Sequence, residues 1–128
     1  LKTLEDFPNV TVIRGDLPHA FTWELNDLAQ HEIVGIHNRM FRKAVEAVRP
    51  DRPTLLVLDE IIGATTYAYI DSEMVLDYLQ KKPYNVEVIM TGRNPLPEFV
   101  EIADYVSDIN KIKHPYDRGI LARKGIEY

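Results

Sequence analysis

Cysteine is absent from all 128 residues of the sequence. The chain therefore has no disulfide framework, no thiolate zinc site and no cysteine nucleophile. Apolar runs near the roughly 20 residues of a membrane helix are also absent, and the first residues lack the basic and then apolar layout of a signal peptide. We expect a cytoplasmic protein without a membrane partner, whose chemistry comes from carboxylates, bases and aromatic rings.

The sequence also has no excess of basic residues over acidic ones. The sequence has 15 Lys and Arg residues against 20 Asp and Glu residues, a formal net charge of −5 at pH 7. Nucleic-acid-binding proteins gain most of their affinity by neutralising phosphates with basic side chains, so this balance disfavours a nucleic-acid partner. A basic stretch near the C-terminus could contact a ligand or a partner, but a solvated segment explains it at least as well. It contains Lys111, Lys113, Arg118, Arg123 and Lys124.

The sequence has no internal repeat, low-complexity stretch or Gly/Ser linker, and 45% of its residues are hydrophobic. We expect a single domain over residues 1–128, because this length suffices for one hydrophobic core and is too short for two. Apolar spacings of three and four residues predict helices, and apolar runs closed by turn residues predict strands.

The predicted order is a strand at 10–14, a helix at 27–48, a strand at 54–58, a helix at 71–82, a strand at 85–91, a short helix around 99–103 and a strand at 105–109. Strands that alternate with helices predict an α/β fold with a mostly parallel sheet flanked by helices. The continuous apolar run at 54–58 further predicts a strand that is buried on both faces.

Two acidic residues, Asp59 and Glu60, follow the apolar run at 54–58. In α/β sheets, ligand-binding groups gather at the carboxyl ends of the strands. Adjacent carboxylates at that edge are the hard oxygen ligands that Mg²⁺ prefers beside a phosphate chain. An alternative of about equal weight is that both acids merely cap the strand and face water.

A second polar segment, Thr91-Gly92-Arg93, closes the predicted strand at 85–91. Glycine lets the backbone turn close to a ligand, and arginine can donate two parallel hydrogen bonds to phosphate oxygens. Taken alone, a βα turn with a surface arginine explains this segment more readily than a ligand site does.

Phe21 and Trp23 lie two residues apart, so in an extended segment their rings fall on the same side of the chain. Aromatic pairs fill a core more often than they contact a cofactor, but the polar residues around this pair argue against deep burial. The four histidines show no metal-ligand spacing. We interpret His31 and His37 as helix-surface or core residues.

Several motifs occur together in the order and at the spacing of one enzyme family. They are Leu58-Asp59-Glu60-Ile61, Thr91-Gly92-Arg93-Asn94-Pro95, Glu101-Ile102-Ala103-Asp104, Lys113-His114-Pro115 and the ending Gly125-Ile126-Glu127-Tyr128. From about Val10 to Tyr128 the chain resembles the cob(I)yrinic acid a,c-diamide adenosyltransferases. These are ATP:corrinoid adenosyltransferases with a P-loop NTPase (RecA-like) type of fold.

The resemblance implies a reaction in which the reduced Co(I) of cobalamin or cobyrinic acid a,c-diamide attacks the 5′ carbon of ATP and expels triphosphate. It makes Glu60 and Asp59 the expected catalytic and Mg²⁺-binding residues. Arg93, with Thr91 and Gly92, is then expected near the phosphates.

The resemblance also gives Phe21 and Trp23 a role. They match a Phe-Thr-Trp segment that fills the lower face of the corrin and keeps its axial ligand away, which makes Co(II) easier to reduce. A homodimer and a flavin or flavodoxin-type electron donor are implied as well.

One segment of the family is missing from these residues. It is the first strand with its Gly-x-Gly-Lys-Gly-Lys-Thr-Thr loop, whose backbone amides and lysines surround the triphosphate. The family places that loop before the point where this chain begins, and Leu1 is not an initiator residue, so we expect truncation rather than natural loss. Two alternatives remain: a non-catalytic corrinoid-binding or delivery module without a P-loop, and a P-loop-like ATPase that acts on another partner with Asp59 and Glu60 as hydrolytic acids.

Overall fold

The computed structural model describes residues 2–15 and 27–126. Its helices are α1 (Lys2–Glu5), α2 (Asp27–Glu46), α3 (Ile61–Thr66), α4 (Ser72–Lys81) and α5 (Pro97–Ile102), and its strands are β1 (Thr54–Leu58) and β2 (Val86–Met90). A short 3₁₀ helix covers Pro115–Arg118. Within these residues, no helix combines the length and the apolar content needed to cross a membrane. The order of helices and strands confirms the predicted α/β class.

The two strands pair in parallel, with Thr54 opposite Val86 and Leu58 opposite Met90. Helices α3 and α4 lie between them in the chain and form the crossover that a parallel pair requires. Because parallel strands run in the same direction, the residues that follow β1 and β2 emerge at one edge of the sheet. We call this the carboxyl edge (residues 59–63 and 91–94), and it carries the candidate site.

The core lies between one face of the sheet and the helices. Its buried side chains are Phe41, Leu58, Ile61, Ile62, Ile70, Val75 and Phe99. Val75 in α4 and Val86 at the start of β2 are completely buried. Since burial of one such side chain contributes about 1.5–3 kcal/mol, this apolar layer holds the helices against the sheet.

The opposite face of the sheet is open. Leu55, Val57 and Ile89 retain 59%, 54% and 48% of their accessible surface. More exposed and less exposed residues alternate along β1, because successive side chains of a strand point to opposite faces. The prediction that β1 is buried on both faces is therefore wrong for the part of the chain that the structure describes.

Helix α4 begins where its capping sequence predicts. The Asp71 carboxylate accepts a hydrogen bond from the Met74 N–H at 3.1 Å, which satisfies an amide that has no acceptor within the helix. The Asp71 N–H donates to Asn38 Oδ1 of α2 at 3.0 Å. Nearby, His37 Nδ1 lies 2.9 Å from the Tyr69 carbonyl oxygen. These polar contacts fix the start of α4 against α2, and they give His37 the structural role expected of it.

The two strands predicted at 10–14 and 105–109 do not form, because these residues have no regular secondary structure. Tyr105 and Ile109 are each 94% exposed. A strand needs a neighbouring edge for its N–H and C=O groups, and neither segment meets one among the described residues. The sequence patterns also do not predict α3, because its residues Ile61–Thr66 include a glycine and β-branched side chains of low helix propensity.

Tyr78 of α4 brings a polar atom into the apolar layer. Its ring meets that of Phe41 edge-on, with centroids 5.7 Å apart and ring planes at 85°. The buried Tyr78 hydroxyl has no hydrogen-bond partner among the described residues. Burial raises the pKa of this hydroxyl above its usual 10.0, because the phenolate would be poorly solvated there.

We expect Tyr78→Phe to leave the free energy of unfolding unchanged or to raise it by up to about 1 kcal/mol, because it removes an unpaired polar atom and keeps the ring contact. Chemical denaturation at pH 7 measures this difference. Because burial raises the folded pKa of Tyr78 above the unfolded 10.0, the wild type should lose stability as pH rises above 10.0, and Tyr78→Phe should lack this loss.

Tyr84→Phe is the control for this substitution, since the Tyr84 side chain is 96% exposed. A clear loss of stability in Tyr78→Phe, with none in the control, would show that the buried hydroxyl has a favourable partner.

Candidate functional site

Thr91 joins the ends of the two strands through its main chain. Its N–H donates to the Leu58 carbonyl at 3.2 Å, and its carbonyl accepts from the Ile62 N–H at 3.1 Å. The first bond continues the β1–β2 pairing beyond the strands, and the second attaches the start of α3 to the end of β2. The turn from β1 into α3 is therefore hydrogen-bonded to Thr91 on both sides.

The Thr91 side chain connects the two acidic residues. Its Oγ1 donates to Asp59 Oδ1 at 2.7 Å and accepts from the Glu60 N–H at 2.9 Å. Both acidic residues are exposed to solvent. The structure thus brings Asp59, Glu60 and Thr91 together at the carboxyl edge. The sequence places these residues in two separate motifs and only suggests that they lie close to each other.

Glu60 turns the chain from β1 into α3. Its backbone is left-handed, with φ 57° and ψ 16°, a conformation that costs a residue with a side chain about 1–2 kcal/mol. The Glu60 carboxylate extends over the first turn of α3, where a Cβ on Gly63 would lie 3.7 Å from Glu60 Oε2. Such a conformation is maintained where surrounding hydrogen bonds outweigh the strain, here those of the Glu60 N–H and C=O groups.

Gly92 packs directly against the start of α3. Its φ is 140°, and a Cβ on it would lie 2.7 Å from Ile62 Cβ and 2.9 Å from the Gly63 nitrogen. A methyl group does not fit at these distances. The packing of the carboxyl edge therefore requires glycine at this position, independently of any ligand.

Arg93 extends from a turn that is fixed on both sides. Before it, Thr91 is bonded to the end of β1; after it, the Asn94 carbonyl accepts from Thr66 Oγ1 at 2.6 Å. The exposed Arg93 side chain has no hydrogen bond or ion pair with any described residue. A guanidinium can donate two parallel hydrogen bonds to a ligand that offers a pair of oxygens, such as a phosphate.

The side chains of Asp59 and Glu60 supply carboxylate oxygens, the ligands that Mg²⁺ prefers. In the described ranges, no group of three or more His, Asp or Glu side chains is placed to hold a metal ion by itself. Mg²⁺ is usually held by one or two carboxylates together with the phosphates of a bound nucleotide. The donor set at the carboxyl edge therefore fits a magnesium–phosphate complex.

The structure does not place every residue that the sequence singled out. Phe21 and Trp23 lie outside the described residues. In the basic C-terminal stretch, Lys111 forms an exposed ion pair with Asp117 at 2.8 Å, which favours the interpretation as a solvated segment.

Sequence reasoning misses two residues of α3 that shape the site, Gly63 and Thr66. The Gly63 nitrogen lies against Gly92, and the Thr66 hydroxyl bonds to the turn after Arg93. Neither has a distinctive local signal, because the Thr66 hydroxyl bonds to a carbonyl 28 residues away in the sequence.

The chain matches, over residues 1–128, the family described as ATP:corrinoid adenosyltransferase BtuR/CobO/CobP. A corrinoid adenosyltransferase of Sinorhizobium sp. is 39% identical over 113 residues, which are 88% of this chain and 52% of that protein. One of Pseudomonas aeruginosa is 33% identical over 84% of this chain and 52% of its own length. One of Escherichia coli K12 is 29% identical over 84% of this chain and 54% of its own length. The chain spans about half the length of the curated relatives it matches.

We expect Gly92→Ala to destabilise the protein by about 1–3 kcal/mol or more, since the added methyl group collides with α3 and the backbone conformation is unfavourable for alanine. Urea denaturation measures the loss. Gly119→Ala is the matched control, because that glycine also has a positive φ, 77°, but nothing lies within 4 Å of its added Cβ. Equal losses in both variants would mean that backbone conformation, and not the contact with α3, accounts for the effect.

Proposed function

Because the chain belongs to the ATP:corrinoid adenosyltransferase family, we propose that the whole protein transfers the 5′-deoxyadenosyl group of ATP to the cobalt of a corrinoid. The cobalt, reduced to Co(I), attacks the 5′ carbon with its electron pair and forms a Co–C bond. The C5′–O bond breaks, and triphosphate leaves with the electrons of that bond. Since the reactants supply the bond-making groups, the protein contributes mainly binding and orientation.

The observation that carries the proposal is the hydroxyl bridge from Thr91 to Asp59 and Glu60. It fixes the Asp59 carboxylate and the Glu60 main chain at the carboxyl edge, where ligands of α/β sheets bind. We assign to Glu60 and Asp59 the binding of Mg²⁺ on the triphosphate. Such an ion neutralises the charge that develops on a phosphate leaving group.

Arg93 is suited to bind phosphate oxygens beside these carboxylates. Its turn is fixed by the bonds of Thr91 and Asn94, and its planar guanidinium loses little freedom when it pairs with a phosphate. Gly92 carries no side chain that would keep a ligand from the backbone. We therefore assign the turn formed by Gly92 and Arg93 to the triphosphate.

The family resemblance supports the remaining parts of the proposal. Phe21 and Trp23 would fill the lower face of the corrin, and cobalamin or cobyrinic acid a,c-diamide would be the corrinoid. A P-loop NTPase (RecA-like) fold would supply the rest of the ATP site. The protein would act in the cytoplasm as a homodimer, with electrons from a reduced flavin or a flavodoxin-type protein.

The proposal is tested by an assay of adenosyl transfer to reduced cobalamin. The reaction is monitored as the loss of Co(I) absorbance. The assay is run with the whole gene product and with the 128-residue chain. Transfer by the whole product would support the proposal. Cobalamin binding without transfer would favour a corrinoid-delivery module instead, and phosphate release without a corrinoid would favour an ATPase.

We expect Glu60→Gln to lower kcat/KM for adenosyl transfer by at least about tenfold, the effect of losing roughly 1.4 kcal/mol of transition-state stabilisation. The activity is measured over a range of Mg²⁺ concentrations. Glu87→Gln is the control, because Glu87 is an exposed acid of β2 away from the carboxyl edge. Normal Mg²⁺-dependent turnover in Glu60→Gln would show that Glu60 does not hold the Mg²⁺ ion, and Asp59 would then be the next candidate ligand.

We expect Trp23→Ala to slow reduction of the bound corrinoid and its adenosylation, while the KM for ATP stays unchanged. The physical reason is that the indole no longer excludes the lower axial ligand from the cobalt. The absorption spectrum of Co(II) cobalamin bound to the protein reports that ligand directly. Tyr84→Ala, at a side chain 96% exposed, is the control, and wild-type reduction by Trp23→Ala would contradict the assignment.

A further inference from the structure

The Thr91 hydroxyl makes two bonds that use its atoms in different ways. Thr91 Oγ1 donates its one proton to Asp59 Oδ1, with 2.7 Å between the two oxygens. The same Oγ1 accepts a hydrogen bond from the Glu60 N–H, with 2.9 Å between nitrogen and oxygen. A hydroxyl has one proton to donate, so this geometry leaves none for a phosphate oxygen. Any contribution of the Thr91 side chain to binding phosphate therefore passes through the two acidic residues.

We propose that Thr91 is a positioning residue for the carboxylate pair, and that its hydroxyl sets the affinity of the site for the divalent cation of the nucleotide complex. This inference rests on the proposed function, because it takes Asp59 and Glu60 as the residues that hold the cation. It assigns Thr91 a role distinct from direct contact with the triphosphate.

The Asp59 side chain shows why a positioning bond is needed. Asp59 is exposed, so side-chain packing does little to restrict its rotamers. The bond from Thr91 restricts the carboxylate to one orientation, yet a carboxylate has about four lone-pair positions and keeps capacity for a cation. Ligating carboxylates are commonly oriented by a hydrogen-bonded neighbour in this way.

Glu60 depends on the same hydroxyl through its main chain. Its left-handed backbone, with φ 57°, is maintained only where surrounding bonds outweigh the strain. The Glu60 N–H is bound by Thr91 Oγ1, and the Glu60 carbonyl accepts from the Ala64 N–H at 3.2 Å. Loss of the Thr91 hydroxyl removes the first of these bonds and leaves the direction of the Glu60 side chain less fixed.

The test compares Thr91→Val, which keeps the branched shape but loses the hydroxyl, with Thr91→Ser, which keeps the hydroxyl. Binding of Mn²⁺–ATP to the whole protein is measured by electron paramagnetic resonance in the absence of a corrinoid. We expect the half-saturating Mn²⁺–ATP concentration to rise about 10- to 100-fold in Thr91→Val, the usual effect of removing a group that orients metal ligands. Thr91→Ser should remain close to the wild type.

Thr54→Val is the matched control at the other end of β1. The Thr54 hydroxyl oxygen lies 3.2 and 3.3 Å from the carbonyl oxygens of Arg49 and Arg52, between which its one proton is shared, so the variant also loses a threonine hydroxyl that joins neighbouring segments. It should keep the wild-type affinity for Mn²⁺–ATP. If Thr91→Val does not fold, as judged by circular dichroism, Thr91→Ala takes its place in the same measurement.

The outcomes separate the inference from the proposed function. Wild-type affinity in Thr91→Val, or a loss that Thr91→Ser does not rescue, would overturn the positioning role while adenosyl transfer by the wild type still supports the enzyme. An equal loss of affinity in Thr54→Val would show a general effect on folding and overturn the inference. A wild type that neither binds Mn²⁺–ATP nor transfers the adenosyl group would contradict the proposed function itself.

Discussion

The parallel pairing of β1 and β2 is the constraint on which the candidate site depends. Its register sets Leu58 opposite Met90, so the next residue of each segment, Asp59 and Thr91, lies beside the other. An antiparallel pair would place these residues at opposite edges, and a slip of one residue would turn the side chains of one strand to the other face. Burial of Val75 of α4 in the core helps to hold this arrangement.

Helix α3 is held in place mainly by tertiary contacts. It has six residues, and isolated helices of this length are not stable in water. The close approach of Gly92 and the bond from Thr66 to Asn94 attach it to the turn after β2. The left-handed residues Glu60 and Asn94 lie on either side of these contacts, so the same bonds that fix α3 also maintain the strained backbone at the site.

The two faces of the sheet contribute unequally to stability. The inner face is buried against the helices, whereas Leu55, Val57 and Ile89 on the other face are about half exposed in the described part of the chain. Parallel sheets of α/β proteins are usually covered on both faces. The carboxyl edge, which carries the candidate site, is formed by residues of this chain.

The sequence by itself determined the main elements and most of the candidate residues. Apolar periodicity predicted α2, α4, α5 and both strands, because it reflects burial of one side of each element, and the order of motifs predicted the family that the comparisons confirm. The position of Asp59, Glu60 and the Thr91–Arg93 segment after apolar strands made them candidates, and the family resemblance gave them their expected roles. Only the tertiary structure decided the presence of α3, the loss of the strands expected at 10–14 and 105–109, and the bridge from Thr91 to Asp59. Each of these depends on bonds or contacts between distant residues: Asp59 and Thr91 are 32 positions apart, and no local pattern specifies which atoms meet across that distance.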